Sequence, residues 1–140
     1  TGITVSNGGL NAPLSDMATY MDFLLGNPAK QAVYEGVLKR SSLEELWRPV
    51  AEVESFASST VKMALSFFVE QHNGIPFVAH SGGQNGFISH FYINLDSRSA
   101  YLVAFNTVAE PVGPDARGDT RKLDRDIRDY LVKNVFPLLR

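Results

Sequence analysis

The chain has no cysteine. Disulfides and thiolate metal sites are therefore excluded, while the redox compartment stays open. No apolar run approaches the roughly 20 residues of a membrane span. No strong charge of one sign is present either: 13 basic side chains face 15 acidic ones, and the sequence pI is about 5.9. Binding to a phosphate backbone needs a concentrated basic surface, so this balance argues against nucleic acid as a main partner. The opening TGITVSNGG has no basic region followed by an apolar one, so no signal peptide is expected in it. A mature secreted protein, or a piece of one, would look the same.

What is present fits an ordinary globular core. Of 140 residues, 44% are hydrophobic and 20% charged. A chain of this size can bury roughly 70% of its unfolded surface. Residues 1–11 are polar and glycine-rich and read as loop. APLSDMATYMDFLLGNP then carries Leu14, Met17, Ala18, Met21, Leu24 and Leu25 at helical spacing on one face. Pro13 and Asp16 suit its start, and Gly26-Asn27-Pro28 its end. Residues 28–40 have a mixed pattern. SSLEELWRP reads as a short helix opened by a Ser42–Glu45 capping box and closed by Pro49, with Leu43, Leu46 and Trp47 inward. Residues 50–60 are small and polar and read as loop.

The period then changes to two. VKMALSFFVEQ, IPFVAHS, FISHFYINL and AYLVAFN read as four strands, with Asn73-Gly74 a strong hairpin signal between the first two. Asp96 to Ser99 is the last turn. Residues 107–118 form a loop rich in proline and glycine. A closing helix carries Leu123, Ile127, Tyr130 and Leu131 as its apolar stripe. Helices, an antiparallel meander and a closing helix make an α+β fold, and residues 1–140 read as a single unit.

Chemistry concentrates in VAHSGGQNGFISHF, Val78 to Phe91. Glycines packed between apolar runs imply close approach of backbone to a substrate or to another strand. His80-Ser81-Gly82-Gly83 would end a strand and open a glycine loop, where free N–H groups can bind an oxyanion and a histidine can donate or shuttle a proton. A glycine-bearing bulge beside a surface histidine is the bland alternative. His72 falls in a hairpin turn and reads as solvated. His80 and His90 lie on neighbouring strands, and Glu70 and Asp96 could be added to them. No metal-ligand spacing results, and neither a metal nor a cofactor is expected.

The order of these features resembles the C-terminal half of the serine β-lactamase and penicillin-binding protein superfamily. The branch is that of class C β-lactamases, D-alanyl-D-alanine peptidases and related esterases. NGGLNAPLSDMATYMDFLLG resembles the glycine–glycine–leucine loop and helix of that branch. SSLEELWRPV resembles its next short helix, and residues 63–107 its late strands. His80-Ser81-Gly82 matches the Lys-Thr-Gly or His-x-Gly motif on the strand lining the active site.

The resemblance implies roles for particular residues. The catalytic-side residues are His80, Ser81 and Gly83: a polar wall, a hydroxyl that bonds a substrate carboxylate or nearby polar group, and an oxyanion-hole amide. Gly82 and Gln84 are the substrate-binding positions. His80 replaces a lysine, which tilts the expectation from strong β-lactamase activity toward a peptidase or esterase.

The family's Ser-x-x-Lys and Tyr-x-Asn motifs find only formal matches, Ser59–Lys62 and Tyr92–Asn94. Ser59 enters a predicted strand, where it and Lys62 point to opposite faces, and Tyr92 reads as a packed aromatic. The expectation is therefore the C-terminal portion of a serine acyl hydrolase, whose nucleophile lies elsewhere. Its substrate would be an amide, ester or lactam, as a small molecule or peptide. The resemblance suggests a periplasmic or secreted setting. An open apolar sheet edge would favour a missing N-terminal portion or self-association as partner. The alternative is a non-catalytic binding domain that kept the scaffold.

Overall fold

The computed structural model describes residues 8–9, 11–56, 59–84, 86–110 and 118–139. Its centre is one antiparallel sheet of six strands in chain order. The strands are β1 (Ala51–Phe56), β2 (Ser59–Met63), β3 (Phe68–His72), β4 (Ile75–Gln84), β5 (Phe87–Asn94) and β6 (Ser99–Phe105). Four helices accompany it among the described residues: α1 (Leu14–Leu25), α2 (Gln31–Val37), α3 (Arg40–Leu46) and α4 (Thr120–Asn134). The α+β class is as expected.

Period-two alternation sorts the sheet into two buried faces. Val78, Phe91 and Ile93 join Leu24, Leu43, Trp47, Ala64 and Phe67 on the side of α1 and α3. Ile75, Phe77, Ala79 and Tyr92 join Val132 and Phe136 on the side of α4. Strand β5 is thus covered on both faces, which explains its nearly continuous run of buried residues. Fully burying one such side chain stabilises by about 1.5–3 kcal/mol.

The sheet has six strands where four were expected, and both extra strands have a physical reason. Residues 51–56 and 59–60, read as loop, are β1 and the start of β2. Residues 51–55 are exposed, so no apolar alternation marks them. VKMALSFFVEQ is not one strand. It folds back between Met63 and Phe68, with Ala64 N–H donating to the Phe67 carbonyl at 2.8 Å. Ser66 takes a left-handed φ of 63° in that turn. The Asn73-Gly74 hairpin is present, with φ of 50° and 78°, the two positive values of a type I′ turn.

Helix details differ too. In α1, Met17, Met21, Leu24 and Leu25 pack inward with Phe23, but Leu14 is 59% exposed and Ala18 is also exposed. Gly26 ends α1 in the left-handed region, φ 75°. Two guanidiniums cap the same end: Arg40 Nη1 donates to the Leu24 carbonyl at 2.5 Å and Arg98 Nη2 to that of Gly26 at 2.9 Å. The mixed stretch after it holds a 3-10 turn, Pro28–Lys30, and α2. Helix α3 starts at Arg40 with Lys39 as N-cap and no side-chain cap. Ser42 and Glu45 therefore lie inside the helix and form no capping box, while Leu43 and Trp47 are buried as expected.

Helix α4 is capped by Asp119, whose carboxylate accepts from Lys122 N–H at 2.8 Å. Its expected apolar stripe is only half right. Leu123 and Tyr130 are 50% and 64% exposed, whereas Val132 is buried. The side facing the sheet carries Leu131, as expected, together with Asp124 and Arg128. Residues 1–7, 10 and 111–117 of the expected loops lie outside the described residues.

Candidate active site

Strand β4 runs unbroken through the segment expected to open a loop. His80, Ser81, Gly82, Gly83 and Gln84 are all strand, and the β4–β5 register stays constant from Val78↔Ile93 to Gln84↔Phe87. No bulge is present. Neither Gly82 nor Gly83 has a positive φ.

The neighbouring strand decides what this segment offers. β3 pairs with β4 only from His72↔Ile75 to Phe68↔Ala79. From His80 to Gln84, β4 is paired with β5 alone. Among the described residues no strand pairs with its other edge, which is open in that sense.

Hairpin geometry fixes which amides face that edge. A two-residue turn closes on a hydrogen-bonded pair, and such pairs alternate along an antiparallel ladder. His72↔Ile75 therefore turns Ile75, Phe77 and Ala79 toward β3. Two residues also separate Gln84 from Phe87, which turns Gln84, Gly82, His80 and Val78 toward β5. Both turns give the same parity. The Pro76 carbonyl agrees, since on the β5 side it accepts from Asn94 Nδ2 at 2.8 Å. Ser81 and Gly83 thus direct their N–H and C=O groups at the open edge.

By alternation His80, Gly82 and Gln84 leave the strand on the α1 face, and Ser81 and Gly83 on the α4 face. At the start of β3 the His80 ring comes within 5.8 Å of the Phe68 ring, which packs with the α4-side cluster. The expected site residues are brought together along one exposed strand, but not on one face. No described atom lies within 4 Å of where a Gly82 Cβ would stand, and a Gly83 Cβ would make only ordinary contacts of 3.6 Å and 3.9 Å. Among the described residues, no other strand approaches closely enough to require these glycines. On the α1 face the loop before α1 comes close: a Cβ on Gly8 would stand 2.5 Å from Gln84 Nε2, and Gly8 has φ 76°. Gly8 and the end of β4 are therefore adjacent. Two concavities lie elsewhere, one beside Gly74, Asp96 and Phe136 and one among α1, α2 and α3. Among the described residues the His80–Gln84 segment is an exposed ledge.

Beneath the α4 face lies a polar cluster that sequence reasoning missed. His90 is 6% exposed, and its Nδ1 stands 3.1 Å from Asp124 Oδ1. That is ion-pair distance without hydrogen-bond alignment, and both Asp124 Oδ1 and His90 Nε2 are buried with no hydrogen-bond partner. Burial pushes the imidazole pKa below its ordinary 6.5, opposed by the Asp124 carboxylate. The ring packs edge-on against Tyr92 and Tyr101, at 5.2 Å and 5.5 Å between centroids. Burial also raises both tyrosine pKa values, with a further push from Glu70 on Tyr92 and from Tyr92 on Tyr101.

His72, expected to be solvated, belongs to the rim of this cluster. It ends β3, its side chain is 12% exposed, and its Nε2 lies 2.6 Å from Glu70 Oε2. The Asn-Gly turn begins one residue later, and the ring is held against Phe77 and Tyr92. His80 and His90 lie on opposite faces of the sheet. Among the described residues no group of three or more His, Asp or Glu side chains is placed to hold a metal. The spacing of Asp124, Arg128 and Leu131 at i, i+4, i+7 was the available signal for this face of α4.

Ser59 and Lys62 both lie in β2, three residues apart in an extended strand, and so on opposite faces. Tyr92 is packed at 6% exposure and Asn94 at 3%. Neither pair has the geometry of a nucleophile or base motif. No family model matches the chain, and neither does any curated protein or solved structure. No helix among the described residues is long and apolar enough to cross a membrane.

Proposed function

We propose that this chain supplies the substrate-aligning wall of a serine acyl hydrolase of the β-lactamase and penicillin-binding protein type. The supporting observation is the open β4 edge at His80–Gln84, with the Ser81 and Gly83 amides aimed outward and unfilled space at Gly82. An extended acyl substrate would lie along this edge. The Gly83 N–H would donate to the developing oxyanion, Gly82 would leave room for the substrate, and His80 and Gln84 would contact it from the α1 face. The attacking serine and its lysine would come from a segment outside these 140 residues. The substrate is an amide, ester or lactam, in a peptide or a small molecule.

The test is covalent labelling by a fluorophosphonate or a penicillin probe. The 140-residue chain is compared with a longer chain that includes upstream reading frame carrying a Ser-x-x-Lys segment. The proposal expects the label only on the longer chain, at that serine. Label on the short chain at Ser59 overturns the assignment of the nucleophile. A longer chain that never labels yet binds peptide at residues 80–84 identifies a binding domain instead.

A further inference from the structure

Ser81 and His90 stand directly opposite each other on β4 and β5. By alternation both side chains belong to the α4 face. The parity set by the two hairpin turns makes them a non-hydrogen-bonded pair, the kind with Cα atoms only about 4.5 Å apart and side chains closest. His90 Nε2 is buried without a hydrogen-bond partner. A buried acceptor left so carries its full desolvation cost. On the other side of the ring, the Asp124 carboxylate 3.1 Å from Nδ1 favours the proton on that nitrogen. Nε2 is then an acceptor in need of a donor.

Two hydroxyls compete for it. Tyr101 Oη is also buried and unpartnered, but its ring is held in parallel stacking on Tyr92, 5.2 Å apart at 8°. Ser81 is exposed at the strand end directly opposite His90, and its hydroxyl is free to change rotamer about χ1.

We propose that Ser81 donates its hydroxyl proton to His90 Nε2, with Asp124 keeping Nδ1 protonated, so that the Ser81 oxygen turns only lone pairs toward the open β4 edge. Ser81 is then the site's contact, and His90 and Asp124 are positioning residues. The inference rests on reading that edge as a substrate wall, and it sharpens the ligand chemistry there. A hydroxyl whose proton is committed to imidazole accepts from a ligand donor, an amide N–H or an amine. It does not donate to a carboxylate. The other groups facing the ring, Arg128 and Asp124 from α4, Glu70 from β3, and the Tyr92 and Tyr101 hydroxyls, set its field.

Imidazole nitrogen NMR on the 140-residue chain tests this. Near neutral pH, His90 should show a protonated Nδ1 and an unprotonated, hydrogen-bonded Nε2. Ser81→Ala should move the Nε2 resonance, Ser81→Thr should restore it, and Tyr101→Phe should leave it in place. Asp124→Asn should shift the tautomer population toward Nε2–H. A protonated Nε2 in the wild type, an Nε2 indifferent to Ser81→Ala, or one that answers to Tyr101→Phe instead overturns the proposal. Acyl-probe labelling does not enter this readout, so a failed hydrolase assignment and a failed Ser81–His90 link are told apart.

Discussion

Replacing Asn94 by alanine should unfold this sheet from one end. Asn94 is 3% exposed and joins two hairpins. Its Nδ2 donates to the Pro76 carbonyl at 2.8 Å, and its Oδ1 accepts from Ser97 N–H at 2.7 Å and from Ser97 Oγ at 2.8 Å. Each such bond contributes about 1 kcal/mol net, and an abandoned partner adds its own desolvation cost unless water reaches it. Pro76 is exposed and Ser97 half-buried, so water recovers part of the loss. The expected destabilisation is about 3 kcal/mol by those magnitudes. For a chain of this length that lowers Tm by roughly 10 °C. Ser97→Ala breaks only the hydroxyl bonds and should lose about 1 kcal/mol. Urea and thermal unfolding followed by circular dichroism read both variants, with the m-value unchanged. An Asn94→Ala loss below about 1 kcal/mol would refute the bridging role. Acyl-probe labelling abolished at unchanged stability would instead restore Tyr92–Asn94 as a catalytic motif.

His90 has a folded-state pKa below its ordinary value, because of burial, so the unfolded chain takes up the proton more readily. Stability should therefore hold above about pH 6.5 and fall as pH drops through it, and His90→Gln should flatten that slope in pH-dependent urea titrations. Asp22 is shifted down by hydrogen bonds from Tyr34 first, then Lys30. Its contribution should be lost only at lower pH, as the solution passes below the ordinary 3.8 toward its folded value. The Ser81 and Gly83 amides should exchange with deuterium faster than those of His80 and Gly82, and the reverse order would refute the parity of the open edge. Arg40→Ala should lose about 1–2 kcal/mol, because Arg40 both caps Leu24 and lies 4.8 Å over the Trp47 ring. Lysine should recover little of this in thermal unfolding.

How far the sequence carried depended on which faces were buried. Strands β4, β5 and β6 and helix α1 carry enough buried or half-buried apolar residues to be legible from the sequence pattern alone. Strand β1 was not legible, because a strand exposed along residues 51–55 gives no alternating apolar signal. The Ser42–Glu45 box failed because a capping pattern marks a helix start only where the helix begins, and α3 begins at Arg40. At the site, His80 to Gln84 were legible as a group, but their form was not. Dense glycine suggested a loop, while the chain holds a straight strand whose edge is freed by the short length of β3. That length is set by the turn at Ala64–Phe67, inside an apolar run where periodicity cannot place a break. Asp124 and Arg128 were hidden in a charged helix whose apolar stripe suggested a different inner face.

Gly82 carries the most direct test. Its backbone is unstrained and no described atom crowds its Cβ position, so the fold has no need of a glycine there. Gly82→Val should leave Tm unchanged within about 2 °C, equivalent to roughly 0.5 kcal/mol. In the longer chain it should also slow acyl-probe labelling at least tenfold, about 1.4 kcal/mol, by filling the space meant for substrate. A variant that loses stability while labelling at the wild-type rate would contradict the account.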